Sequence, residues 1–217
     1  MLAEEKLFIN GSAGQLETRI LKTNPQKIGI ICHPHPQFGG SMENNVVYAL
    51  RTGLKDAGYS ALRFNFRGVG SSDGSYAEGI GEIDDLADVI SYCRDQNFSE
   101  IVLCGYSFGS WIIMNYISKT SASLSLILVS PPIGIYDFSL LKLPEKAECL
   151  IIAGNRDHIC PVANLKAWYK IQKCQLSFIE LSDTDHFFIG REKEISEHVT
   201  KFLSSLSRSQ KIHPQSR

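Results

Sequence analysis

The sequence has no apolar run of the roughly 20 residues that a bilayer-spanning helix needs. Its opening, Met1-Leu2-Ala3-Glu4-Glu5-Lys6, is charged where a secretory leader would be apolar. No membrane partner is expected, and the simplest location is cytoplasmic. An excess of charge of one sign is also missing: the formal net charge is −1, which gives no general pull toward nucleic acid. The six cysteines, Cys32, Cys93, Cys104, Cys149, Cys160 and Cys174, contain no C-x-x-C pair, so neither a zinc cluster nor a dithiol motif is indicated. Several lie inside apolar runs, where cysteine behaves as a small core residue. Gly68-Val69-Gly70 lacks the third glycine of the dinucleotide pattern, and no Gly-Lys-Ser/Thr occurs. No cofactor and no metal are expected.

What is present is one core's worth of alternating elements. With 217 residues and 43% hydrophobic content, a single domain over 1–207 is expected, followed by a basic, flexible tail over 208–217. Leu7-Phe8-Ile9 and Leu16 to Leu21 read as an antiparallel hairpin turning at Asn10-Gly11. Strand-like runs then follow at Lys27 to Cys32, Ala61 to Phe66, Ile101 to Cys104, Leu124 to Val129, Cys149 to Ala153 and Leu176 to Leu181. Helical patterns separate them. Val46, Val47, Leu50 and Leu54 mark one stripe with Gly58 as its stop, and Ile83, Leu86, Ala87 and Ile90 mark a second. Ile195, Val199, Phe202 and Leu206 mark the last helix, and the acidic Glu82, Asp84, Asp85 and Asp88 read as a solvated face. This alternation predicts an α/β fold, a mostly parallel twisted sheet with helices on both faces, whose sites lie at the carboxyl ends of the strands.

Three such ends carry reactive residues. Gly105-Tyr106-Ser107-Phe108-Gly109 stands where a strand stops and a helix starts. A turn that sharp strains its central residue and needs glycine on both flanks, which lifts the Ser107 hydroxyl above the sheet. A serine must hand its proton to a base, and the base needs a carboxylate to hold its tautomer. Asp157 follows the strand ending at Ala153, and His186 follows the strand ending at Leu181. Asp157 could instead cap the helix after it. Asp183 and Asp185 are nearer to His186 in sequence but fit a turn-shaping role, and His158, His198 and His213 are less well placed as bases.

An oxyanion needs backbone donors. The Phe108 N–H, at a helix start, is one candidate. The other should come from His33-Pro34-His35-Pro36-Gln37-Phe38-Gly39-Gly40, where the prolines leave His35 as the first donor, with Gln37 or Phe38 behind it. His33 and His35 could also form a metal pair, but no third ligand follows nearby, and structural hydrogen bonding suits His33 better. Candidate pocket residues are Phe38, Trp111, Ile133, Ile135, Tyr136 and Phe187, with Trp111 equally fit for the core.

His33-Pro34-His35-Pro36 with Gly39-Gly40, Phe64 to Ser72, Gly105 to Gly109 and Asp185-His186-Phe187-Phe188 together resemble a family of small α/β-hydrolases. Its members are predicted serine hydrolases related to dienelactone hydrolases and acyl-peptidase catalytic domains. The resemblance spans nearly the whole chain. It implies an α/β-hydrolase fold with Ser107, Asp157 and His186 as the triad. True dienelactone hydrolases carry cysteine where this chain has Ser107, which argues against their substrate class. Between Ser130-Pro131-Pro132 and Cys149 there is room only for a brief helix around Asp137 to Leu141, so no large lid is expected. The resulting expectation is hydrolysis of carboxylic esters with small or accessible acyl groups through an acyl-serine. Thioesters or peptides could be cut by the same triad, and a noncatalytic ligand- or protein-binding module is the rival from another class. The sequence leaves the oligomeric state open.

Overall fold

A computed structural model describes residues 3–120 and 124–212, with side chains described as far as 206. The chain opens with a hairpin of β1 (Glu5–Gly11) and β2 (Gly14–Leu21), with Leu7 opposite Thr18. Its two-residue turn is Ser12-Ala13 and not Asn10-Gly11. The register explains the shift: Asn10 pairs with Gln15 and Gly11 with Gly14, so both predicted turn residues belong to the ladder. Next come β3 (Lys27–Cys32), α1 (Asn45–Asp56), β4 (Ser60–Phe64), α2 (Ile80–Asp95), β5 (Glu100–Tyr106) and α3 (Phe108–Thr120). β6 (Ser125–Val129), β7 (Glu148–Gly154), α4 (Val162–Tyr169), β8 (Gln175–Leu181) and α5 (Glu192–Ile212) complete the order. The last helix thus continues past the boundary at 207, and 213–217 lie outside the described residues.

The strands form one sheet in the order β1-β2-β4-β3-β5-β6-β7-β8. β1, β2 and β4 pair antiparallel, and every other pairing is parallel. Central strands such as Lys27–Cys32 are buried and apolar from their second residue on, because both of their faces are covered. On one face Ile30, Leu103 and Leu128 pack under α2, α3 and α4 through Leu86, Ile113 and Leu165. On the other, Ile31, Cys104 and Ile127 pack under α1 and α5 through Leu50, Leu54, Val199 and Leu203. Burying each such aliphatic side chain contributes about 1.5–3 kcal/mol. Asn44 starts α1 by accepting the Val46 N–H at 2.9 Å, and Gly58 ends it at φ 80°.

Two of the acidic residues read as a solvated face are buried. Glu82 accepts the N–H groups of Ala77 and Gly79 at 2.8 and 2.7 Å, holding the entry to α2. Asp85 takes Arg67 through its N–H, Nε and Nη2 at 2.7–3.0 Å. Buried carboxylates persist where donors compensate their lost hydration, and here the donors come from the loop before the helix. The connection from β6 to β7 holds turns, with no helix at Asp137 to Leu141. Phe138 and Leu141 instead tuck into the core, where their carbonyls accept the Trp168 indole N–H.

Candidate active site

Ser107 joins β5 to α3 with φ 52°, in a left-handed region that non-glycine residues seldom occupy. Its N–H donates to the Val129 carbonyl at 2.9 Å, which ties the strained turn to β6. Side chains at the flanks are sterically barred. A Cβ on Gly105 would lie 2.6 Å from the Gly109 carbonyl carbon, and one on Gly109 would lie 2.3 Å from the Cys32 oxygen. The hydroxyl therefore stands at the carboxyl edge of the sheet, in line with the loops after β7 and β8.

Those loops deliver the other two residues. His186 Nε2 is 2.9 Å from Ser107 Oγ, and His186 Nδ1 is 2.8 Å from Asp157 Oδ2. The other oxygen of Asp157 accepts the N–H groups of Ile159 and Cys160 at 2.9 and 2.8 Å, so the carboxylate has one orientation. Burial alone would raise its pKa. Hydrogen bonding and charge at His186, helped by Ser130 and the Cys160 N–H, outweigh burial and hold it below the usual carboxyl value. Ser130 acts by proximity, since its buried hydroxyl makes no well-formed hydrogen bond among the described residues. Asp183 and Asp185 are occupied otherwise. Asp183 pairs with Arg156 at 2.6 Å, and Asp185 accepts the Phe187 N–H at 2.9 Å.

The loop after β3 brings His35 against Phe108, with ring centroids 4.8 Å apart. Phe108 begins α3, so its N–H has no helical acceptor. The His35 N–H has no acceptor among the described residues either. The fallback donors are spent: the Phe38 N–H goes to the His35 carbonyl at 3.1 Å and the Gln37 N–H to His35 Nδ1 at 3.2 Å. His35 Nε2 is left to donate to the Tyr76 hydroxyl at 3.2 Å, and burial depresses this ring's pKa. His33 has both nitrogens engaged. Nε2 accepts the Phe66 N–H at 3.1 Å, so Nδ1 carries the proton and donates to Pro34 O at 2.6 Å. No lone pair is left there for a metal.

Ser107, Phe108, His35 and His186 open into a pocket of about 540 Å³. Of the six predicted lining residues, Phe38, Ile135, Tyr136 and Phe187 line it, and Trp111 and Ile133 do not. Trp111 stacks behind Tyr136 at 4.4 Å and 22°, and Ile133 packs toward the core. Gly39 and Gly40 line it as well, as a double glycine open to close approach by substrate should, and the sequence reading missed Pro34, Asn44, Tyr106, Pro132 and Ile159. Pro132 and Ile159 each stand a few residues past a strand end, a signal that position alone could have supplied.

Fold and loops together define a small α/β-hydrolase without a lid; among the described residues the β6–β7 connection contains no helix or strand. The chain belongs to the family described as serine aminopeptidase S33, whose pattern matches residues 24–148. It is 36% identical to an alpha-beta serine hydrolase homologue from Coxiella burnetii, with a TM-score of 0.82 over 91% of this chain and 96% of the other. It is 30% identical to a lid-less α/β serine hydrolase from Xanthomonas campestris, with a TM-score of 0.86 over 95% and 96% of the two chains. An uncharacterised protein of Rickettsia prowazekii (strain Madrid E) is 33% identical over 96% of this chain and 92% of its own length. These likenesses support hydrolase activity.

Proposed function

We propose that this chain hydrolyses carboxylic esters through an acyl-Ser107 intermediate. The observation that carries the reading is the unbroken line from Ser107 Oγ through His186 to Asp157, at 2.9 and 2.8 Å, at the base of an open pocket. His186 Nε2 takes the Ser107 proton as Oγ attacks the ester carbon. The carbonyl oxygen becomes an oxyanion held by the N–H groups of Phe108 and His35. The bond to the alcohol breaks, and the proton on Nε2 goes to the departing oxygen. Water then gives a proton to His186 and attacks the acyl-serine, whose collapse returns the proton to Ser107 and frees the acid. The sum is ester plus water giving acid plus alcohol.

The family's description points to aminopeptidases, but a free amino terminus needs a carboxylate to receive its ammonium. Among the described residues the pocket lining offers none, because Asp157 lies behind His186. An ester, or a thioester of the same acyl group, needs no such partner. All six cysteines are free thiols, which fits a reducing, cytoplasmic setting.

The test is intact-protein mass spectrometry after exposure to a fluorophosphonate, with ester hydrolysis followed in parallel. One adduct on the wild type, lost with activity in Ser107→Ala, supports the reading. An unlabelled, inactive wild type of native fold would mean a noncatalytic binding module.

A further inference from the structure

Single exposed apolar side chains are ordinary on a protein surface, whereas clusters of them mark contact sites. At the pocket mouth Phe38 is 86% exposed, Ile135 66% and Phe187 61%. The three come from the loops after β3, β6 and β8, so the fold itself assembles the cluster. Phe38 leans on the His35 ring at 4.8 Å, and Tyr136, next to Ile135, is held by its stack on Trp111. Among the described residues no lining side chain is a carboxylate, an ammonium or a guanidinium.

The chemistry divides this rim in two. A departing alcohol oxygen must approach His186 Nε2, which puts Phe187, the next residue, on the leaving-group side. The carbonyl oxygen points at the Phe108 and His35 N–H groups. Phe38 packs on His35 and the Tyr136 ring lies 6.3 Å from that of Phe108, so with Ile135 they line the pocket beside the donor residues, on loops other than that of His186. The acyl group is assigned to this side. We propose that the acyl side selects an uncharged aliphatic chain long enough to leave the cavity and lie across Phe38 and Ile135. The inference rests on the ester-hydrolase reading and names its substrate class. A fully buried methylene strengthens binding up to about 4-fold, and the open rim secures only part of that per carbon. A chain ending in a carboxylate would lose part of its hydration against these apolar side chains, with no cation among the lining residues to meet it.

The experiment compares kcat/KM for 4-methylumbelliferyl acetate, butyrate and octanoate, below their solubility limits, with the octanedioate monoester as the charged match. Wild type should prefer octanoyl over acetyl by at least about 10-fold, and octanoyl over the octanedioate ester by several-fold. The octanoyl-to-acetyl ratio should fall several-fold in Phe38→Ala and in Ile135→Ser. Both side chains are exposed, so their truncation leaves the core intact. A flat or falling chain series, equal use of the octanedioate ester, or an unchanged ratio in both variants overturns the inference. In those cases turnover of the acetate ester keeps the hydrolase reading standing. Absence of turnover on every ester, with no fluorophosphonate adduct, would overturn both.

Discussion

The hydroxyl of Tyr106 donates to the carbonyl oxygen of His186 at 2.7 Å, so the residue before the proposed nucleophile tethers the backbone of the proposed base. The two rings also face each other at 5.4 Å. Burial, with the charges of Asp157 and Asp185, pushes the Tyr106 pKa well above its ordinary value, which keeps the donor protonated. Tyr106→Phe retains the ring and removes the tether. It should destabilise the fold by about 1–2 kcal/mol by leaving a buried carbonyl unmet. Freed to shift, His186 should lower kcat by about 10-fold with little change in KM. Steady-state kinetics beside urea unfolding separates the two effects, and an unchanged kcat would show that the tether does not position the base.

Asp157→Asn should be more damaging than its size suggests. Oδ1 is committed to the Ile159 and Cys160 N–H groups, so an asparagine would keep its oxygen there and turn its NH₂ toward His186 Nδ1. The ring would then carry its proton on Nε2 and could no longer take one from Ser107. Turnover should fall by roughly 10³- to 10⁴-fold with the fold retained. Ester hydrolysis and circular dichroism on the same preparation check both halves of the statement.

The sequence made the sheet and the order of Ser107, Asp157 and His186 readable because both depend on local signals: apolar runs that end in loops, and glycines at the flanks of one serine. What it concealed depends on side-chain partners and register that apolar patterning does not report. Asp85 is neutralised by Arg67, 18 residues earlier, whereas Glu82 receives the N–H groups of Ala77 and Gly79 just before α2, a local helix-start signal masked by the acidic run around it. The hairpin turn moved to Ser12-Ala13 because register across β1 and β2 outweighs the preference of Asn-Gly for turns. Trp111 and Ile133 could not be excluded from the pocket without knowing that Tyr136 stacks on one and the core takes the other.

The Arg67–Asp85 pair should behave as a structural lock. Asp85 is fully buried while the Arg67 side chain is 13% exposed, and they meet at 2.7 Å. Removing one partner strands the other's charge, so Asp85→Ala should cost about 3 kcal/mol, the low end for such pairs because Arg67 keeps some contact with water. Urea unfolding of the variant would show a lower midpoint at the same m-value. A shift below a few tenths of a kcal/mol would mean that the loop reseats Arg67 without loss.

His33 makes stability depend on pH. It is fully buried, and burial lowers its pKa from 6.5 to about 4, outweighing the opposing hydrogen bond to Pro34. The folded state therefore holds the ring neutral where the unfolded chain protonates it. The contribution is complete above the unfolded value of 6.5, declines as pH falls and is gone at about 4. Between about pH 7.5 and pH 5 the loss from this one group should be about 2 kcal/mol. His35, shifted down by burial in the same direction, adds to the slope. His33→Gln cannot satisfy both the Phe66 N–H and the Pro34 carbonyl in the same geometry, so it should be less stable at neutral pH, yet lose less on acidification. Urea midpoints measured across that pH range for both proteins would show converging curves. Parallel curves would mean that His33 is protonated in the folded protein as readily as in the unfolded chain.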